Sequence, residues 1–190
     1  MTPENREMVF LILGMGLLAV ATGAREDPAV PPDLWVEDTP PEPEPEPPEN
    51  FAQHCDIEPP DGFNRMITEA AEATGVNPRV IALTVYRESR CKVNALGAVG
   101  EIGFGQVYPA IWVTVLTEQG IIESVDDLYD PGVNLRATGF ILGEVHRYAK
   151  EDPRDALRRY NGSGPAARRY AREQSLRYQS LWGEPLWIRR

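Results

Sequence analysis

Glu88 is the residue whose setting first suggests acid–base chemistry. It lies near the end of a largely apolar run, RVIALTVYRES at positions 79–89, which has the composition of a buried helix. A carboxyl that the end of such a helix carries into a cleft loses solvation, which raises its pKa so that it holds a proton near neutral pH. General-acid cleavage of a glycosidic bond requires such a carboxyl. The alternative is a solvated helix residue between two arginines.

A glycine-rich run follows this helix. Gly97, Gly100, Gly103 and Gly105 lead to Gln106 in the sequence GAVGEIGFGQ. The run lacks the Gly-Lys-Ser/Thr ending of a phosphate loop and opens no βαβ unit, which argues against nucleotide binding. Glycines permit positive φ and close backbone approach, so an extended ligand could lie against the main chain while the glutamine amide bonds its hydroxyl or acetamido groups. A tight loop packed on a helix is the alternative, and both can hold together.

A third polar group stands at 156–166, in ALRRYNGSGPA. Tyr160 and Asn161 end a predicted helix there. The tyrosine ring suits packing against a sugar face while its hydroxyl bonds a polar group. The alternative is a tyrosine core contact followed by an Asn-Gly cap. Glu101 supplies a second acid inside the glycine-rich run.

The cysteines and histidines do not suggest a metal site. Cys55 and Cys91 would close a loop of about 36 residues, worth roughly 4 kcal/mol, if they paired in an oxidising compartment. Two free buried thiols are the alternative. Together with His54 and His146 they lack the spacing of metal ligands, and we expect each histidine to be an ordinary surface residue.

The elements that position these residues read as helices. Apolar residues recur at helical spacing before Gly75, and the pairs Asn77-Pro78, Asp130-Pro131 and Asp152-Pro153 place a cap before a first-turn proline. No alternating strand pattern of useful length appears. We therefore predict a mainly α domain, with helices at 62–74, from 78 through the Glu88 region, 109–119, 132–149, 153–160 and 165–181.

Residues 1–50 are of a different kind. Residues 8–24 form an uncharged run of 17, typical of a signal peptide or a membrane anchor, so that residues 1–24 are predicted to be one or the other. Residues 25–50 end in TPPEPEPEPPEN, which predicts a disordered, extended Pro/Glu-rich linker. Eleven acidic and two basic side chains lie in residues 1–50 of a chain whose net charge is -10. The acidity therefore says little about the ligand of the domain predicted at 51–190, and no nucleic-acid-binding pattern stands out.

The three motifs in this order and spacing resemble those of the soluble lytic transglycosylase (SLT) domain, a family with a lysozyme-like fold. They are Glu88-Ser89, GEIGFGQVYP and ALRRYNGSG, and DPGVNLRATGFIL at 130–142 resembles a further helix of the family. The resemblance covers about residues 55–182. It implies that Glu88 is the catalytic acid and base, that Ser89 and Gln106 hold the substrate, and that Tyr160 and Asn161 shape the cleft. Gly105 and Cys91 depart from the family pattern.

The resemblance also implies a function. It is cleavage of the MurNAc–GlcNAc β-1,4 bond of peptidoglycan, with 1,6-anhydro-muramoyl ends, no cofactor and no nucleic-acid partner. One alternative is a lysozyme-type muramidase that uses Glu101 or another acid to activate water. The other is a non-catalytic peptidoglycan-binding component of an envelope-spanning machine or virion. We expect an exported protein that acts in the periplasm, either free or anchored in the membrane through residues 8–24. Localised wall opening within a larger envelope or virion assembly would suit the linker.

Overall fold

The computed structural model describes residues 49–189, and its regular elements there are helices. The six α-helices are α1 (Phe63–Thr74), α2 (Pro78–Glu88), α3 (Pro109–Glu118), α4 (Pro131–Tyr148), α5 (Pro153–Asn161) and α6 (Gly164–Trp182). Two short 3₁₀ helices, Phe51–His54 and Val125–Tyr129, were not predicted from the sequence. The mainly α fold is confirmed. The prediction for residues 1–24, and that of a linker at 25–50 apart from Glu49 and Asn50, lie outside the described residues.

Three helices begin as the cap-then-proline pattern predicts. The side-chain oxygen of Asn77 accepts from the backbone N–H of Arg79 at 3.0 Å, which caps α2. At α4, Asp130 Oδ1 accepts from Val133 N at 2.8 Å, and Asp152 Oδ1 caps α5 in the same manner. Each cap satisfies backbone donors that the first helical turn leaves without partners.

Helix α2 is central to the core. Val80, Ile81, Ala82, Leu83 and Val85 are all 0% exposed, so the helix is covered on nearly every side. A helix that is apolar all round belongs in the interior. The burial ends with the last turn, where Arg87 is exposed and Glu88 is half-buried.

A disulfide between Cys55 and Cys91 holds the N-terminal edge of the domain beside the end of α2, so the possible pairing of the two cysteines is confirmed and the alternative of two free thiols is wrong. The chain leaves α2 through Arg90 and Cys91, whose φ angles of 55° and 65° lie in the left-handed region that residues with side chains seldom adopt. Nearby, the Tyr86 hydroxyl donates to the carbonyl of Phe51 at 2.6 Å. These contacts fix the backbone that follows Glu88.

The expectation of two surface histidines is wrong for His146. It is only 5% exposed, because α4 packs against both α1 and α5 and presents one side to each. His54 is half-buried, with its ring set edgewise against Tyr86 and Trp182. Neither residue is therefore a freely solvated side chain.

The start of α2 is also fastened to both ends of the described chain. The Arg79 guanidinium bonds the carboxylate of Glu49, at 3.0 Å, and that of Glu184, at 2.8 Å. The backbone N–H of Asn77 donates to the carbonyl of Ile188 at 2.8 Å. Within residues 49–189, no helix combines the length and the apolar character needed to cross a bilayer.

We expect the disulfide to contribute substantially to stability. A variant with Cys55→Ser and Cys91→Ala should lose about 4 kcal/mol of unfolding free energy, because the 36-residue separation no longer restricts the unfolded chain. Urea unfolding followed by far-UV circular dichroism measures the loss. Wild-type protein treated with a reductant should unfold at the same urea concentration as the variant. Equal unfolding midpoints for the variant and the oxidised wild type would contradict the prediction.

Candidate active site

Glu88 ends α2 and lines a cleft of 490 Å³. Its side chain is half-buried, whereas the next residue, Ser89, is buried. Burial raises the pKa of the Glu88 carboxyl, while the hydrogen bond from Tyr170 and the charge of Arg87 lower it and the charge of Glu101 raises it. The net shift is upward. The structure thus gives the predicted acid the desolvated setting that the sequence suggested.

Tyr170 is a site residue that was not predicted from the sequence. Its hydroxyl donates to Glu88 Oε1 at 2.6 Å, and its side chain is 4% exposed on α6. Burial raises the pKa of this hydroxyl well above its usual range, so it remains a donor. The available clue was its place beside Ala167 and Ala171 on the buried side of α6, because a buried tyrosine hydroxyl usually has a polar partner.

The glycine-rich loop is fixed to α4 by Asn134. The side-chain Oδ1 of Asn134 accepts from the N–H of Gly105 at 3.0 Å, and its Nδ2 donates to the carbonyls of Ile102 and Leu128. Two isolated antiparallel bridges, from Leu96 to Ile102 and from Ile102 to Val107, tie the loop to itself. The loop is therefore a rigid part of the cleft wall.

Glycine is needed at two positions of the loop for different physical reasons. Gly103 has a φ of 72°, a conformation that favours glycine. Gly105 instead lies against α4, where an added Cβ would stand 1.9 Å from the Thr138 hydroxyl oxygen. The loop is thus packed closely on α4, as the alternative interpretation expected, and the approach of a ligand to its main chain stays a prediction.

Gln106 lines the cleft, but its amide N–H groups serve the loop. Its Nε2 donates to the carbonyls of Ala95, at 3.1 Å, and Gly103, at 3.0 Å, from a backbone with a φ of 51°. Within residues 49–189 its Oε1 has no hydrogen-bond partner. The side chain therefore offers a ligand an acceptor, while the donor expected from the sequence is engaged in the loop.

Tyr160 and Asn161 line the cleft at the end of α5. The Tyr160 hydroxyl donates to the carbonyl of Gly105 at 2.8 Å, which joins α5 to the glycine-rich loop. Burial raises the pKa of this hydroxyl. Asn161 is exposed. The structure brings both residues to the cleft, and the tyrosine hydroxyl bonds a polar group as expected.

Ser89 is set differently from the other predicted site residues. Its Oγ donates to the carbonyl of Val85 within α2 at 3.1 Å, and its side chain is 5% exposed. It borders a second depression of 440 Å³ that shares Glu88 and Gln106 with the cleft. Its role in holding a substrate stays a prediction.

Apolar and aromatic side chains complete the cleft. They were not predicted as site residues, since their spacing is that of ordinary core positions in α3 and α4. Faces of this type pack against the C–H faces of sugar rings. They are Tyr108, Ile111, Trp112 and Ile141. In residues 49–189, no group of three or more His, Cys, Asp or Glu side chains is arranged to hold a metal ion.

Comparisons with known proteins agree with this geometry. The family described as Transglycosylase SLT domain matches residues 65–181. Among solved structures, the chain is similar to an inactive Glu-to-Gln mutant of the lytic transglycosylase Slt from Pseudomonas aeruginosa, with a TM-score of 0.58 and 20% identity. The match covers 69% of this chain and 26% of the Slt chain. No curated protein sequence matches. The structural likeness confirms the lysozyme-like transglycosylase fold.

The hydrogen bond between Tyr170 and Glu88 has a measurable consequence. Tyr170→Phe removes a donor that stabilises the ionised carboxylate, so the pKa of Glu88 should rise above its wild-type value. Carbon-13 NMR titration of the Glu88 carboxyl measures the change. Tyr178→Phe is the matched control, because that hydroxyl bonds Asn77 and Glu184 instead. An unchanged or lower pKa of Glu88 in Tyr170→Phe would contradict the stabilisation of the Glu88 carboxylate by Tyr170.

The anchoring of the loop by Asn134 predicts a large stability effect. Asn134→Ala leaves one buried N–H and two buried carbonyls without their partner, and should cost about 3 kcal/mol of unfolding free energy. Urea unfolding measures it. Asn64→Ala is the control, since Asn64 also bonds one backbone N–H but is half-buried, and its cost should be clearly smaller. Equal losses of unfolding free energy in the two variants would refute the role of Asn134 as the main anchor of the loop.

Proposed function

The chain belongs to the transglycosylase SLT domain family, and we propose from this premise that it is a peptidoglycan lytic transglycosylase. The proposed reaction cleaves the β-1,4 bond between MurNAc and GlcNAc and leaves 1,6-anhydro-muramoyl ends. The observation that carries the proposal is Glu88, a half-buried carboxyl with a raised pKa at the wall of a cleft. A carboxyl in this state donates a proton near neutral pH.

The proposed first step breaks the glycosidic bond. Glu88 gives its proton to the bridging oxygen, and the carbonyl oxygen of the substrate's own 2-acetamido group attacks the anomeric carbon as the bond breaks. The Tyr170 hydroxyl, 2.6 Å from Oε1, stabilises the carboxylate that remains. The departing sugar keeps the proton as a new hydroxyl.

The proposed second step closes the anhydro ring. The 6-hydroxyl of the same muramoyl residue attacks the anomeric carbon and restores the acetamido group. The Glu88 carboxylate takes the proton of that hydroxyl and returns to its acid form. Atoms balance without water, so each cleavage is a lyase reaction rather than a hydrolysis.

The other cleft residues would hold the sugar chain. We assign Gln106 Oε1 as an acceptor for a substrate hydroxyl or acetamido N–H, because the amide N–H groups are engaged in the loop. Trp112 and Tyr108 provide faces for sugar rings, and Asn161 provides an exposed amide at the end of α5. Tyr160 shapes the wall by holding the carbonyl of Gly105.

A lysozyme-type muramidase is the second candidate, and one observation favours it. Glu101 places another carboxylate in the same cleft as Glu88. An inverting hydrolase uses a second carboxylate to activate water on the far side of the sugar. Product masses separate the candidates, because an anhydro end lacks one water relative to a reducing end.

We further propose that the domain acts outside the cytoplasm. The disulfide Cys55–Cys91 is consistent with an oxidising compartment such as the periplasm. The uncharged run at 8–24 suits export or anchoring, and the Pro/Glu-rich sequence that follows suits a spacer. Localised opening of the cell wall, as part of a larger envelope or virion assembly, is the role that this arrangement would serve.

Glu88→Gln is the direct test of the proposed function. The change removes the transferable proton while nearly preserving shape, so cleavage of purified peptidoglycan should fall by about a thousandfold. Mass spectrometry of released fragments measures turnover and the anhydro ends together, and circular dichroism should show an intact fold. Glu118→Gln, at the exposed end of α3, is the control that should keep wild-type turnover. Turnover of Glu88→Gln within tenfold of the wild type would refute the assignment.

A further inference from the structure

Glu101 is held in the wall of the cleft by a turn built around its own carboxylate. The backbone N–H of Gly97 donates to the carbonyl of Glu101 at 2.8 Å, which closes the turn. The side chain folds back over that turn, and its Oε2 accepts from the backbone N–H of Val99 at 3.1 Å. The position of this carboxylate is therefore set by the main chain.

Gly97 supplies the space for that carboxylate. A Cβ added at Gly97 would stand 2.0 Å from Glu101 Oε2, closer than any real contact. Unlike Gly100, whose φ of 100° itself favours glycine, Gly97 has no positive φ. The missing side chain at 97 is thus explained by the carboxylate of Glu101.

The charge of Glu101 is not neutralised by a nearby cation. Among residues 49–189, no arginine, lysine or histidine forms an ion pair with it. Arg159, which also lines the cleft, is paired with Asp155 at 2.7 Å. Within the same part of the chain, Oε1 of Glu101 has no hydrogen-bond donor. A half-buried carboxylate without an ion-pair partner acts on the other groups of its cleft.

We propose that Glu101 is a positioning residue for the acid step, whose fixed carboxylate in the cleft wall favours retention of the proton on Glu88. The proposal rests on the proposed function in that Glu88 is taken as the proton donor. A carboxylate in the same cleft disfavours ionisation of a second one, and this effect adds to burial in raising the pKa of Glu88. Glu101 acts through Glu88 and takes no proton itself in this role.

The remaining groups around Glu88 come from three elements. Helix α6 presents the Tyr170 hydroxyl and Glu173, and Glu173 pairs with Arg87 of α2 at 3.5 Å. Helix α5 presents the Tyr160 hydroxyl. Arg87 and Tyr170 favour the ionised form of Glu88, so Glu101 is the charged group that opposes them.

The test is Glu101→Gln, which removes the charge but keeps an oxygen that can accept from Val99 N–H. Removing the negative charge favours ionisation of Glu88, so its carbon-13 NMR titration should move to lower pH. In the pH profile of kcat/KM, the alkaline limb should also move to lower pH. The variant should match the wild type on the acid side and lose severalfold in kcat/KM on the alkaline side. Because the effect is electrostatic, added salt should reduce the difference.

Glu118→Gln, with the same change in net charge on the exposed end of α3, should leave both readouts unchanged. Gly97→Ala offers a second route, because its Cβ displaces the Glu101 carboxylate without removing it. It should shift the Glu88 titration, because the displaced charge then lies at a different distance from Glu88. A Glu88 titration in the folded Glu101→Gln protein that does not move would overturn the proposal. So would a uniform loss of kcat/KM at all pH values, which would mean that Glu101 only supports the turn or binds sugar.

The NMR titration needs no turnover, so it separates this proposal from the proposed function. The wild type could release no anhydro products while the pKa of Glu88 still falls in Glu101→Gln. The proposed reaction would then be wrong, and the electrostatic effect of Glu101 on Glu88 would stand. If anhydro products form but the titration does not move, the reaction stands and the coupling is refuted.

Discussion

The geometry of the cleft depends on one buried side-chain amide, that of Asn134. Its side chain is 1% exposed, so each of its polar atoms needs a partner within the protein. Those partners are the N–H of Gly105 and the carbonyls of Ile102 and Leu128, which belong to the glycine-rich loop and to the 3₁₀ helix before α4. The carbonyl of Gly105 in turn accepts from Tyr160 on α5. One amide thus sets the loop against α4, and the loop in turn is joined to the end of α5.

The raised pKa of Glu88 follows from the burial of α2. Helix α2 is covered along most of its length and reaches the surface again in its last turn, where the Glu88 carboxyl stays partly out of water. Desolvation and the charge of Glu101 favour the protonated form, while Tyr170 and Arg87 favour the ionised form. Burial is the largest of these effects and the net shift of the Glu88 pKa is upward, which favours its role as a proton donor.

Glycines in the loop serve several separate purposes. Gly100 and Gly103 adopt backbone conformations that other residues avoid. Gly105 allows contact with Thr138 of α4, and Gly97 leaves room for the carboxylate of Glu101. The loop was expected to deliver Gln106 as a donor and acceptor, yet the glutamine N–H groups are used within it. What the loop presents to the cleft is one amide oxygen and one unpaired carboxylate.

Local and family patterns in the sequence determined much of this protein. Capping residues predict the helix starts at Asn77, Asp130 and Asp152, and periodicity predicts the buried helix α2. The motifs predict the cleft residues Glu88, Gln106, Tyr160 and Asn161. All of these signals are properties of neighbouring positions in the sequence. Tyr170 lies 82 residues from its partner Glu88, and the burial of His146 depends on how α4 packs against its neighbours. The engaged amide of Gln106 and the pairing of Gly97 with the Glu101 carboxylate depend on how the loop turns back on itself. Only the tertiary structure decided these, because solvation, hydrogen-bond partners and available space are set by which segments pack together.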